Sequence, residues 1–320
     1  MTAVPGNVRV GVIGTGFGGS VVAPAFAATD GCTVVDVVTS RDAVAVAELC
    51  ARQDVDLISV HSPPFLHAEH VRWAIDAGHA VHCDKPFGMN AAESAELTAL
   101  AAETGTLHFL NFERRFDPGR ELIRSLIAEG VIGAPKHFAY SRFIATPGRP
   151  YTWLCSRALG GGWLAGQGSH LIDCSRWLFG EVFKAEAVLR VARAERADAN
   201  GELHQCDADD GFVASLVTES GVTAVIDCSL ETPVSTPEHF AVFGSDAMLL
   251  LDDDGIVLHT AAGDTVPYEV DWEGKASLVV SMERWAAQIC DAVRAGEPDP
   301  QLPSFADGLA CSIVMDEMGR

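Results

Sequence analysis

An apolar run, Val8–Ile13, gives way at once to Gly14-Thr15-Gly16-Phe17-Gly18-Gly19 and then to a helix-forming stretch over residues 17–28. No other part of the chain constrains the fold as strongly. A buried strand that enters a tight glycine turn and leaves as a helix is the opening of a βαβ unit. The spacing is G-x-G-x-x-G. Gly14 permits the turn, Gly16 lets a pyrophosphate approach the backbone, and Gly19 lets the helix pack closely on the strand. The helix N-terminus adds free N–H groups and the positive end of a dipole. Without that strand and helix the same glycines would be an ordinary turn; with them, a dinucleotide site is expected.

The pattern continues as an α/β chain. Apolar runs at 33–39, 56–60, 80–83 and 107–112 read as strands, and helical spacing fills 43–52 and 66–77 between them. Gly78 suits the position just past a helix end, and Asn90 with Glu93 suits a capping box for a helix running to Thr104. After residue 113 the character changes. Helical patterns at 120–129, 163–179, 280–295 and 305–318 accompany β-like runs at 137–144, 185–192, 212–218, 222–230 and 240–243. Residues 219–221 and 253–255 read as hairpin turns. The expected architecture is a doubly wound Rossmann domain over 1–112. An α+β domain with a large, mostly antiparallel open sheet follows over 113–320.

Charge narrows the function. A formal net charge of −22 repels phosphate backbones, so nucleic-acid binding is excluded as an expectation. No apolar run reaches the ~18–20 residues that span a bilayer. Nine cysteines, none in Cys-x-x-Cys spacing, read as free thiols of a reducing compartment, and the expected location is the cytoplasm.

In an open parallel sheet, ligands lie beyond the carboxyl ends of the strands. Two turns fall there: Ser62-Pro63-Pro64 with His67 behind it, and Asp84-Lys85-Pro86. Both are assigned to the cofactor, together with residues 14–19 of the glycine turn. An ammonium at Lys85 can polarise a carbonyl or donate a proton, against the bland reading of an exposed lysine. His67 and His70 share a helix face but lack a third ligand, so no metal is expected. At the tip of the second strand, Asp36 comes too early to reach a ribose. Ser40 and Arg41 suit a 2′-phosphate, which leans the cofactor to NADP over NAD; Asp42 on the ribose is the alternative. In the second domain, residues 160–173 combine many glycines with His170 and Asp173. His170 is either an acid–base group or a satisfied core histidine.

Taken together, Gly14-x-Gly16-x-x-Gly19, Pro63-Pro64-x-x-His67, Asp84-Lys85-Pro86 and the stretch from Gly160 through His170 to Asp173 resemble the glucose–fructose oxidoreductase/inositol dehydrogenase (Gfo/Idh/MocA) family. The resemblance spans nearly the whole chain. It implies NAD(P)-dependent hydride transfer to or from a secondary alcohol or ketone of a sugar, cyclitol or related polyol, in a homodimer or homotetramer. It also implies that Lys85 and His170 are catalytic and that Asn111, Arg115, Trp153, Gln167 and Asp173 lie toward the substrate. Two departures stand out. The family's frequent Asp four residues before the histidine is Gly166 here, which removes the usual Asp–His pair. Residues 40–55 are short by about one helix and one strand. Two other readings remain open: a non-catalytic dinucleotide-sensing regulator, and a lyase or glycosidase-type enzyme with transient redox by bound NAD(H).

Overall fold

The computed structural model describes residues 6–252 and 255–320, and the chain forms two compact units. One takes the chain as far as Phe116 together with Lys275–Ile313; the other is Asp117–Gly274 with Val314–Arg320. This division differs from two consecutive blocks, 1–112 and 113–320. The helix Ser277–Ala295, expected in the second domain, packs in the first unit, where Trp285, Ile289 and Val293 are fully buried with Val10, Phe26 and Phe109. Its helical spacing was legible, but the core that its apolar face would join was not.

The first unit is a five-stranded parallel sheet in the order β2-β1-β3-β4-β5. Its strands are β1 (Val8–Ile13), β2 (Cys32–Val38), β3 (Leu57–Val60), β4 (Ala80–Cys83) and β5 (His108–Leu110). β5 is shorter than expected because the chain leaves the ladder after Asn111 and turns into a 3-10 segment, Glu113–Phe116. Helices α1 (Ala23–Ala27), α2 (Ala43–Cys50), α3 (His67–Asp76) and α4 (Ala91–Thr104) connect the strands. One π-type turn, Gly18–Val22, precedes α1. The caps fall where side chains can reach orphan amides: Asp42 accepts from Val44 N and Ala45 N, and Asn90 from Glu93 N. The Glu93 carboxylate in turn accepts from Met89 N. β2 is an edge strand with no strand outside it among the described residues, in keeping with the short 40–55 segment.

The second unit carries an eight-stranded sheet, β15-β14-β13-β12-β6-β11-β10-β7. Its strands are β6 (Pro135–Phe143), β7 (Val182–Arg190), β10 (Gly211–Thr218), β11 (Thr223–Ser229), β12 (His239–Gly244), β13 (Ala247–Asp252), β14 (Gly255–Thr260) and β15 (Thr265–Tyr268), and a separate hairpin pairs β8 (Glu195–Ala197) with β9 (Leu203–Gln205). All neighbours in the large sheet are antiparallel except β6 and β11. The turn 219–221 joins β10 to β11 as expected; Asp253 and Asp254 of the other expected turn lie outside the described residues. Helices α5 (Pro118–Ala128) and α6 (Ser169–Phe179) cover one face, which buries Phe138, Phe212, Ile226 and Phe240. The other face leaves Val188, Val213 and Val225 between 42% and 72% exposed.

Candidate active site

At the carboxyl edge of the parallel sheet the ladder runs one residue past each strand. Gly14 N donates to Val38 O, His61 N to Ile13 O, Asp84 N to Val60 O and Asn111 N to Cys83 O, at 2.7–2.8 Å. Gly14, His61, Asp84 and Asn111 therefore form one row along the rim where an open sheet receives its ligand.

The glycine turn divides its work by position. Gly14 has φ +123°, and a Cβ there would sit 2.4 Å from the His61 carbonyl oxygen. A Cβ on Gly18 would lie 2.8 Å from His61 Cβ, whereas one on Gly19 would make ordinary contact with Val37 at 3.5 Å. A Cβ on Gly16 would meet nothing within 4 Å. Gly14 and Gly18 thus fit the turn against His61, while Thr15 and Gly16 present open backbone. The residues present fit a dinucleotide pyrophosphate: a bare glycine cradle ahead of a helix, with Lys85 on the same rim.

Asp84 gathers three polar groups. Lys85 N and Asn111 Nδ2 donate to its Oδ1 at 2.9 and 3.1 Å, and the third group, His61 Nδ1, approaches Oδ2 to 3.3 Å without a hydrogen bond of good geometry. Burial pushes this carboxyl up, but the polar contact and charge of His61, with Lys85 and His67, outweigh it and hold it well below the usual carboxylate range. Behind it, Ser59 Oγ bridges His61 Nε2 at 2.7 Å and His82 Nδ1 at 2.9 Å. Next along the chain, Glu113 is buried; burial raises its pKa against the charges of Arg114 and Lys85, and Asp84 raises it further.

His67 was expected at the cofactor, and this is corrected. Its ring is completely buried, with Nε2 2.7 Å from Ser62 O and Nδ1 3.0 Å from Pro86 O. Burial pushes its pKa down. The neutral ring donates to one of these two carbonyls and packs against the other, so it sits between the Ser62-Pro63-Pro64 turn and the Lys85-Pro86 turn. Ser62 Oγ is likewise taken, 3.0 Å from His70 Nδ1, and burial drives His70 down to about 4. Arg115, assigned to the substrate, donates to Asp307 Oδ1 at 2.8 Å. Arg41 is exposed at the tip after β2 and makes no ion pair among the described residues, while Ser40 beside it is half-buried.

In the second unit, residues 164–168 form one π-type turn that runs into α6, which carries His170 and Asp173, both buried. Gln167 Nε2 donates to Tyr140 Oη at 3.0 Å, and Arg176 stands 3.8 Å from Asp173. The glycines here admit other parts of the fold. A Cβ on Gly161 would lie 2.4 Å from the Trp153 carbonyl oxygen, and one on Gly162 2.3 Å from Asp209 Oδ1. Asp209 caps the turn, accepting from Leu164 N at 2.8 Å through its carboxylate while its carbonyl accepts from Trp163 N. Burial raises its pKa to about 6.

Residues 8–112 match the model of the oxidoreductase family with an NAD-binding Rossmann fold, and residues 121–250 match that of the GFO/IDH/MocA C-terminal domain. The chain belongs to the GFO/IDH/MocA oxidoreductase family. An uncharacterised oxidoreductase of Synechocystis is 29% identical to this family member, over 99% of this chain and 94% of the relative. Inositol 2-dehydrogenase 3 of Saccharopolyspora erythraea is 25% identical over 96% and 91%. In fold, this GFO/IDH/MocA chain is similar to levoglucosan dehydrogenase solved with NADH, at TM-score 0.85 and 22% identity, covering 98% and 96% of the two chains.

The motif reading passed over His61, Ser59, Glu113 and Asp209. A polar residue one step beyond a buried strand was the available signal for His61; the others meet their partners only in the folded chain. No helix among the described residues is long and apolar enough to cross a membrane. Among those residues one group, Asp198, Glu202 and His204, is close enough to share a metal. The Asp198 carboxylate there already accepts from Asn200 N and Glu202 N.

Proposed function

We propose that this oxidoreductase is an NAD(P)-dependent dehydrogenase acting on a secondary alcohol, or the matching ketone, of a sugar, cyclitol or related polyol. The observation that carries the reading is the sheet rim itself, where the open Gly16 backbone and the Asp84-Lys85-Pro86 turn share one edge. Relatives named for dehydrogenation of inositol, D-apiose and levoglucosan support the substrate class. Bound at that rim, a nicotinamide dinucleotide supplies or accepts the hydride. Thr15, Gly16 and the amides before α1 hold its pyrophosphate. Lys85 Nζ donates to the substrate oxygen and stabilises charge on it, and His170 is the acid–base candidate carried by the second unit. With Gly166 in place of a carboxylate, Lys85 carries the larger share of that proton chemistry.

Ser40 and the exposed Arg41, which makes no ion pair among the described residues, incline the site toward NADPH, since Asp42 already spends one carboxylate oxygen on capping α2. Titrating NADH and NADPH by nicotinamide fluorescence, in the native protein and in Arg41→Ala, tests this. Equal affinities, unmoved by the substitution, remove the preference. Turnover on inositols, pentoses and anhydrosugars tests the activity; cofactor binding without turnover on any of them, together with a co-purifying protein, favours the sensing regulator. The exposed valines of the large sheet support a homodimer or homotetramer built on that face, in the cytoplasm.

A further inference from the structure

Ser59, His61 and His82 are a buried polar chain in a sheet otherwise packed with valine, leucine and isoleucine. Polar side chains at such depth are costly unless they are hydrogen-bonded, and these are bonded chiefly to one another, with Asp84 at the rim. The single hydrogen of Ser59 can serve only one of its two imidazole neighbours, so the other ring must donate to the oxygen. At the rim one role is fixed. Asp84 is ionised and can only accept, so its charge, 3.3 Å from His61 Nδ1, favours the tautomer that carries the ring proton there. At the other end His82 is fully buried, edge-on to Phe26 and Trp285 at 6.1 and 6.0 Å between ring centroids, and neighbours Asn111, whose amide donates to the same Asp84, so the chain closes back on one carboxylate. A proton relay needs an exposed group at each end, and this chain has one only at Asp84. Its work is therefore to hold geometry.

His61 is where that geometry is transmitted. Its carbonyl oxygen and Cβ lie against Gly14 and Gly18, its ring stands 6.1 Å from that of Phe17, and its Nδ1 faces Asp84, the residue that precedes Lys85. One side chain thus touches both the glycine turn after β1 and the turn after β4. We infer that His61 is a positioning residue, which sets the dinucleotide turn and the Asp84-Lys85-Pro86 turn in register through the buried chain His82–Ser59–His61–Asp84. The inference rests on the dehydrogenase reading above and adds a residue to it.

The test compares His61→Leu, which fills the space without polar atoms, with His61→Gln, whose amide can donate to Asp84 and accept from Ser59. His61→Leu is expected to weaken NADH binding about tenfold and to lower kcat by up to ~100-fold, since small misplacements at a reacting centre have effects of that size. His61→Gln is expected to restore most of both. If folded His61→Leu binds NADH and turns over like the native enzyme, or if His61→Gln is no better than His61→Leu, the inference is overturned. Where His61→Leu does not fold, Ser59→Ala decides: unchanged NADH affinity and kcat refute the role, and a parallel loss of both supports it. Imidazole 15N spectra of the native enzyme supply a readout independent of turnover. A protonated His61 Nδ1 is expected, and a bare one overturns the inference. Failure of the native protein to bind either NADH or NADPH would sink the dehydrogenase reading instead, and the spectra keep the two failures apart.

Discussion

At the scale of single residues, the glycine turn separates demands that one motif merges. Gly14 is required by the fold, with a positive φ and a neighbouring carbonyl 2.4 Å from any Cβ. At Gly16 an added Cβ would enter open space. Gly14→Ala is therefore expected to destabilise the protein by about 1–3 kcal/mol or more, read as a fall in thermal midpoint. Gly16→Ala should leave that midpoint nearly unchanged while weakening NADH binding several-fold by fluorescence titration. Lys85→Met belongs to the same scale. Loss of a positioned acid–base group typically lowers kcat by about 10²–10⁴-fold, and here the loss should exceed any change in cofactor affinity. A rate within threefold of native would remove Lys85 from the proton chemistry.

Among the elements, the turn leading into α6 is held by a buried carboxylate, and that carries a pH dependence. The Asp209 pKa is raised from 3.8 to about 6, so the folded state binds this proton more tightly than the unfolded chain. The contribution is fully present below the unfolded value and is lost as pH rises through about 6. At pH 7.5, Asp209→Asn keeps an acceptor for Leu164 N without the buried charge, and should match or exceed native stability, by up to about 3 kcal/mol. The advantage should shrink at pH 5; denaturation midpoints of both proteins at the two pH values check the sign. The same element shows what a sequence can disclose. The glycines and His170 were visible, but Asp209, 45 residues beyond Leu164, had no mark of its own. Strands and helices were legible because their apolar spacing is local. Caps and buried pairs such as Asp84 with His61, or Arg120 with Glu238, join distant positions that periodicity does not connect. Strands β13 to β15 escaped for a related reason: Met248-Leu249-Leu250-Leu251 is apolar without alternation and fits a helix equally well.

For the whole molecule, the exposed strip of Val188, Val213 and Val225 lies on paired positions of neighbouring strands, since Val213 opposes Val188 and Ser215 opposes both Glu186 and Val225. If this face joins copies, Val213→Glu with Val188→Glu should reduce the native mass by half or more in light scattering, with circular dichroism unchanged. An unchanged mass would move the interface elsewhere.

The first unit is also discontinuous in the chain. Trp285, stacked on Phe116 at 4.6 Å and fully buried, belongs to the core begun by β1. On a ribosome working at ~5–20 residues per second, roughly 170 residues and on the order of 10–30 s separate the emergence of that pair. Through that interval the nascent nucleotide-binding half lacks part of its own interior. A nascent-chain series arrested at increasing lengths should stay protease-sensitive in this half until the segment carrying Trp285 has cleared the exit tunnel. The large sheet of the second unit, which ends at Tyr268, should gain protection first, although that unit begins later in the chain and takes in its last segment, Val314–Arg320, at the end.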